Sequence, residues 1–181
     1  MEAKVCLRRG ILEYLVCKTQ TFEHESIFST NVKGSHLHAA LLLIGCEPGA
    51  FVGEDWAVMI KEKKLTCLTL SVEYQVDGAL VRKRMSELLV HREKKDGIVP
   101  DHWMFTGSIF YVNEGQTYYA ADTTGAVIGL SPMGGPVVQF GDTLGIPYQG
   151  EHLGTEARVD VIPETGTTVR VVFSLLRDET T

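Results

Sequence analysis

The sequence predicts a β-rich α+β domain: mainly antiparallel sheets, or a sandwich, around one buried apolar helix at about residues 35–45. Three observations predict it. Most apolar residues alternate with polar ones, the period-two pattern of half-buried strands. Asp77-Gly78 stands between two such runs and is a strong two-residue hairpin signal. One run, GSHLHAALLLIGCEPG, has helical length but no polar face. A helix apolar all round belongs inside a protein. The 181 residues fit a single domain, 1–181, long enough to bury a core without metals or disulfides.

Taken in order, residues 5–7 and 11–17 read as short strands around the Arg9-Gly10 turn. ILEYLVC is apolar on both faces except for Glu13, as in a central strand. Residues 21–30 alternate, with Phe22, His24, Ser26 and Phe28 on one face and Glu23, Glu25 and Ile27 on the other. The helix follows: Ser35 is the expected N-cap, Gly45 the left-handed residue past its end, and Pro48 the stop. A strand at 56–60 and a charged turn at 62–64 lead to a long alternating strand at 65–76 and its hairpin partner at 79–84. Ser86 is placed to cap a short helix over 87–91, and HREKKDG is a solvated loop. Trp103, Phe105, Gly107, Ile109 and Tyr111 line one face of a further strand, turned by residues 113–115 toward a partner at 117–121. Strands at 126–130 and 137–140 flank the loop SPMGGP; residues 141–155 are irregular. Strands at 158–162 and 167–175, around a PETG turn, close the domain. The expected core includes Leu41, Leu42, Trp103, Phe105 and Gly107.

Net charge of −6 argues against a nucleic-acid surface, which would be basic. The apolar helix has about three turns, well short of the ~20 residues that span a bilayer, so no integral membrane segment is expected. MEAKVCLRRG has no continuous apolar stretch of the kind a signal peptide carries. Cys6, Cys17, Cys46 and Cys67 show no C-x-x-C spacing, which disfavours a zinc ribbon or a thioredoxin-type motif. Isolated cysteines in apolar strands are most often small buried hydrophobes.

GILEYLVC, EHESIF, GSHLHAALLLIGCEPG, DHWMFTGS and IPETGTTVRVVF together resemble the YdjY-domain family over nearly the whole chain. The H-E-S strand and the L-H-A-A-L-L helix carry most of the resemblance. The family occurs in Gram-negative bacteria and abundantly in planctomycetes, and its members commonly carry export or lipoprotein-type N-termini. The resemblance therefore implies a periplasmic or cell-envelope protein, with the cytoplasm open for this chain. It also implies a redox association, but the cysteine runs that hold iron–sulfur clusters are missing.

His24, Glu25, His38 and Cys17 are the candidate metal ligands, a set that suits zinc or another divalent transition metal. His36 and His38 cannot share an ion, since residues two apart on a helix point roughly 200° apart. His38 is the inward one, on the side of Leu41 and Leu42. The plainer reading, preferred on sequence, makes His24 and His38 buried core histidines in one hydrogen-bonded cluster with Glu13 or Glu25. Asp101-His102 reads as an exposed loop, and Ser108 lacks a G-x-S-x-G elbow. SPMGGP and GDTLG lack the strand–glycine–helix order of a phosphate cradle, while Met133 and Tyr148 offer a partner surface.

Every patterned segment is accounted for by packing, with no full catalytic set left over. The sequence therefore favours a non-catalytic binding or interaction module with a protein partner and no confidently assigned cofactor. A metal-dependent enzyme using the His24/His38 region is the alternative.

Overall fold

The computed structural model describes residues 1–49, 67–92, 97, 99–130, 135–141 and 154–175. The expected strand at 56–60, the turn at 62–64, most of SPMGGP, GDTLG after its first glycine, Met133 and Tyr148 lie outside them.

The strands are β1 (Glu2–Val5), β2 (Ile11–Leu12), β3 (Tyr14–Lys18), β4 (Ser26–Thr30), β5 (Cys67–Val76), β6 (Ala79–Arg84) and β7 (Leu89–His91). They continue with β8 (Trp103–Phe105), β9 (Phe110–Asn113), β10 (Gln116–Tyr119), β11 (Ala126–Gly129), β12 (Val138–Phe140), β13 (Thr155–Ala157) and β14 (Thr168–Leu175). Among the described residues the α-helices are α1 (Gly34–Leu43) and α2 (Ala120–Thr124).

Nine strands form one sheet in the order β14-β1-β4-β3-β11-β12-β8-β5-β6, and β14 also pairs with β5. That last pairing closes the sheet on itself as a barrel, which removes most free edges. Pairing is antiparallel except at β3–β4 and β11–β12. One core cluster of buried apolar side chains includes Leu12, Leu15, Val16, Phe28, Leu68, Leu70, Trp103, Phe105 and Ile128. Trp103 stands edge-on to Phe140, ring centroids 5.2 Å apart, and its indole N–H donates to Asp101 at 2.8 Å. The β5–β6 hairpin turns at Asp77 and Gly78, both at positive φ, as the sequence predicts. Two smaller sheets lie apart: the hairpin β9–β10, and β2-β13-β7.

The expected strand over 21–30 begins only at Ser26. Residues Glu23–Glu25 form a 3-10 turn, in which Glu25 N–H donates to Phe22 C=O and Ser26 Oγ anchors to the same carbonyl at 2.7 Å. His24 and Glu25 therefore do not alternate along a strand. The expected 87–91 helix is a 3-10 turn at Met85–Leu88 followed by β7. The expected 103–111 strand breaks in the middle, because Gly107 (φ 81°) and Ser108 (φ 58°) are both left-handed. β8 stays in the barrel and β9 leaves it. Residues 120–124 coil into α2 rather than extending β10. The expected 158–162 strand is a turn, with Ile162 N–H donating to Arg158 C=O.

Helix α1 is the largest departure. Only Gly34, Leu37 and Leu41 are buried, a stripe at helical spacing. Leu42 is 47% exposed, Leu43 88% and Ile44 50%. Leu42 is thus not a core residue, whereas Leu41, Trp103, Phe105 and Gly107 are. The barrel interior is already filled by strand side chains, so the helix packs outside and presents one apolar face to solvent. Its N-cap is Lys33 and not Ser35, and no side chain of that residue caps it. Asp122 of α2 does the capping, accepting Ser35 N–H at 2.9 Å and Ser35 Oγ–H at 2.6 Å. Gly34 is required there: an added Cβ would sit 2.5 Å from Ala121 Cβ. At the other end Gly45 is left-handed as expected (φ 89°). Its N–H bonds to Leu42 C=O and that of Cys46 to Leu41 C=O, both at 3.0 Å. This pair of bonds is the Schellman arrangement.

Candidate functional site

The four expected metal ligands fall into three neighbourhoods. His24, with its side chain 76% exposed, lies 3.8 Å from Glu25, whose side chain is largely covered. Glu13 is close enough to sense both. Its carboxyl is pushed up chiefly by burial and further by the Glu25 charge, against a downward pull from His24. Cys17 is fully buried on β3. His38 stands on α1 against the start of the β9 arm. His24 is therefore not a core histidine, and the two imidazoles share no cluster. Among the described residues no group of three or more His, Cys, Asp or Glu side chains is placed to hold a metal ion.

His38 organises the junction where β8, α1 and the β9–β10 arm meet. Its Nδ1 lies 2.8 Å from Tyr119 Oη and 3.0 Å from Gly107 C=O, and Tyr119 O–H donates to that carbonyl at 2.8 Å. A carbonyl can only accept, and the tyrosine's one proton is already spent on it. Nδ1 must therefore carry a proton and donate, which in the neutral ring leaves the lone pair on Nε2. Burial, followed by the charge of Asp122, pushes the Tyr119 hydroxyl well above the usual tyrosine range. It stays a neutral donor. The ring of His38 also stands edge-on to Phe105, centroids 5.0 Å apart.

The T-G-S segment fits this junction sterically. A Cβ at Gly107 would lie 2.7 Å from Pro48 Cβ and 3.3 Å from His38 Cε1. Ser108 is spent on architecture: its hydroxyl donates to Gly135 C=O and accepts from Ala121 N–H. Asp101 is held by the Trp103 indole, and His102 packs against Gly141.

Beside the junction lies an apolar surface. Tyr119 carries it outward: its ring is 5.7 Å from His38 on one side and 5.0 Å from Phe110 on the other. Register places Phe110 opposite Tyr119 and Val112 opposite Thr117, all on one face of the arm. Phe110 is 69% exposed and Val112 70%. Leu42 lies one turn beyond His38 on α1, on the same side of the helix. The exposed end of α1 and the exposed face of the arm are thus neighbours. Among the described residues β9 pairs only with β10.

The alternation over 103–111 revealed the side chains of β8 and β9 but not the left-handed break between them. Tyr119 and Asp122 carried no sequence signal, since their roles depend on α2 packing against α1.

A family model described as the YdjY domain matches residues 1–174. No curated protein and no solved structure matches the chain.

Proposed function

The chain belongs to the YdjY domain family, and from that premise we propose that it is a non-catalytic binding module of the cell envelope. It takes an extended apolar segment of a protein partner along β9, against the exposed end of α1. The observation that carries this reading is the pair of exposed apolar patches, Leu42 and Leu43 at the end of α1 and Phe110 and Val112 on β9, with the buried Tyr119 ring packed between His38 and Phe110. A two-stranded hairpin is marginal in water by itself. One with exposed apolar side chains gains from a third strand, which supplies main-chain hydrogen bonds and covers Phe110 and Val112. Burying such a side chain fully contributes roughly 1.5–3 kcal/mol. His38, Tyr119 and Ser108 support the reading in another way: their polar atoms hold the arm at a fixed angle to the helix.

The test is the double variant Leu43→Ser/Phe110→Ser, expressed in the native host. Both side chains are exposed, so the variant should melt with the wild type. It should also lose the higher-mass complex that the wild type forms in gently solubilised extracts. A complex retained at wild-type level by the folded variant would contradict the proposal.

A further inference from the structure

One edge of β5 is shared by two strands. β14 runs along the opposite edge, from Leu68 to Glu73. On the shared edge β6 pairs with β5 only as far as Ser71, opposite Arg84, and β8 takes over at Leu68, opposite Trp103. The sheet is therefore split at Thr69 and Leu70, between the end of β6 and the start of β8. A cavity of about 530 Å³ opens at this split, within the size range of small-molecule sites.

The wall of this cavity is basic although the chain carries a net charge of −6. Arg82, Lys83 and Arg84 follow one another along it. Register sets Arg84 opposite Ser71 and Arg82 opposite Glu73, so both arginines belong to the outer face of the sheet, while the buried Leu70 and Val72 belong to the inner one. Arg82 Nε–H donates to Ser71 Oγ at 3.0 Å. Accepting there, Ser71 keeps its own proton to donate. Thr69 and, opposite it on β14, Ser174 bring further hydroxyls to the wall. Arg82 also shares Glu73 with Arg170, at 3.6 and 3.7 Å, which sets one carboxylate between two cations. Two carboxylates line the cavity as well, and each already accepts from a neutral N–H at 2.8 Å. Glu87 takes the Arg84 backbone N–H and Asp101 the Trp103 indole.

We propose that this split binds a small, soluble phosphate monoester whose remainder carries hydroxyl groups. A carboxylate is planar and is satisfied by one guanidinium fork. Two guanidinium groups, an ammonium and the hydroxyls beside them offer more donors than it can accept, from more directions. They match the three acceptor oxygens and the charge of nearly −2 that a phosphate monoester presents. A diester, with one negative charge, answers fewer of the cations. Inorganic phosphate would leave most of the cavity open. The second oxygens of Glu87 and Asp101 are acceptors suited to hydroxyl groups on the rest of the ligand. The site shares no residue with the surface formed by β9 and the end of α1, and it stands independently of that reading.

The test titrates the isotope-labelled full chain with glycerol 3-phosphate, inorganic phosphate and glycerol, read by amide chemical shifts and calorimetry, and separately with vesicles containing phosphatidic acid. Glycerol 3-phosphate should bind more tightly than inorganic phosphate and shift the amides of Thr69, Leu70, Ser71 and Arg84; glycerol alone should not bind. Arg84→Gln should weaken binding roughly tenfold or more, as the loss of charge-assisted hydrogen bonds implies. Lys33→Gln, the same change of charge outside the cavity, should leave binding unchanged. Arg84 is exposed, so its variant should melt with the wild type; Lys83→Gln reads the same wall if it does not. No binding of the ester, shifts confined to other strands, equal weakening by Arg84→Gln and Lys33→Gln, inorganic phosphate bound as tightly as the ester, or binding to the vesicles alone would overturn the proposal.

Discussion

Replacing Gly107 by alanine tests the junction more sharply than any other single change. Gly107 sits at φ 81°, between β8 and the arm. A left-handed non-glycine residue costs about 1–2 kcal/mol. The new Cβ would also lie 2.7 Å from Pro48 Cβ, on a rigid ring, and 3.3 Å from the His38 ring. Overpacking of that kind costs about 1–3 kcal/mol. The two together give roughly 2–5 kcal/mol, or about 5–15 °C in Tm for a chain of this size. Gly115, at the tip of the arm, is the control: its φ is 77° and nothing lies within 4 Å of its added Cβ. Gly115→Ala should show the backbone cost alone, about 1–2 kcal/mol. Thermal melts followed by circular dichroism, with urea titrations for the free energies, measure both. Equal losses for the two variants would refute the close approach of Pro48 and His38 to Gly107.

Other outcomes follow from the same geometry. Leu41→Ala should destabilise by about 2–5 kcal/mol, whereas Leu43→Ala should stay within about 0.5 kcal/mol of wild type; urea titration separates a helix packed on one stripe from one buried all round. Asp122→Ala removes the cap of α1 and should cost about 0.5–2 kcal/mol by the same titration, with increased amide exchange at Ser35. Thiolate ultraviolet absorbance of the folded protein should titrate one thiol near pH 7, and Cys17→Ser should abolish that step. The Cys17 value is lowered from an ordinary 9.0 to about 7. The folded state therefore binds fewer protons than the unfolded one between those values, and this contribution to stability is present above pH 9 and is lost as pH falls toward 7. The raised Cys6 value reverses the slope above about pH 9. A wild-type melt whose pH profile matches that of Cys17→Ser between pH 7 and 9 would contradict this assignment.

The strands were largely legible because period-two alternation reports a half-buried sheet directly, and Asp77-Gly78 fixed the longest hairpin. Alternation does not report which strands close a barrel. The β14–β5 pairing joins residues about a hundred positions apart without a local signal. Helix α1 was legible in place and in its C-cap, but its burial was misjudged. An all-apolar helix is as consistent with a surface that awaits a partner as with a core, and only the filled barrel decides between them. His24 was misplaced because 21–30 alternates although Glu23–Glu25 coil into a 3-10 turn. The Tyr119–His38 contact was invisible, since it depends on tertiary packing.

The central claim is that the arm and the end of α1 form the working surface. Site-specific photo-crosslinking in the native host tests it most directly. A photoreactive residue is placed in turn at Phe110, at Leu43 and, as a control on β6 of the barrel sheet, at Arg82. Positions 110 and 43 should both give one discrete adduct, joined to an extended apolar segment of the same partner, and position 82 should give none. An adduct with a second copy of this chain, adducts only from position 82, or none from 110 and 43 in correctly folded protein would contradict the account.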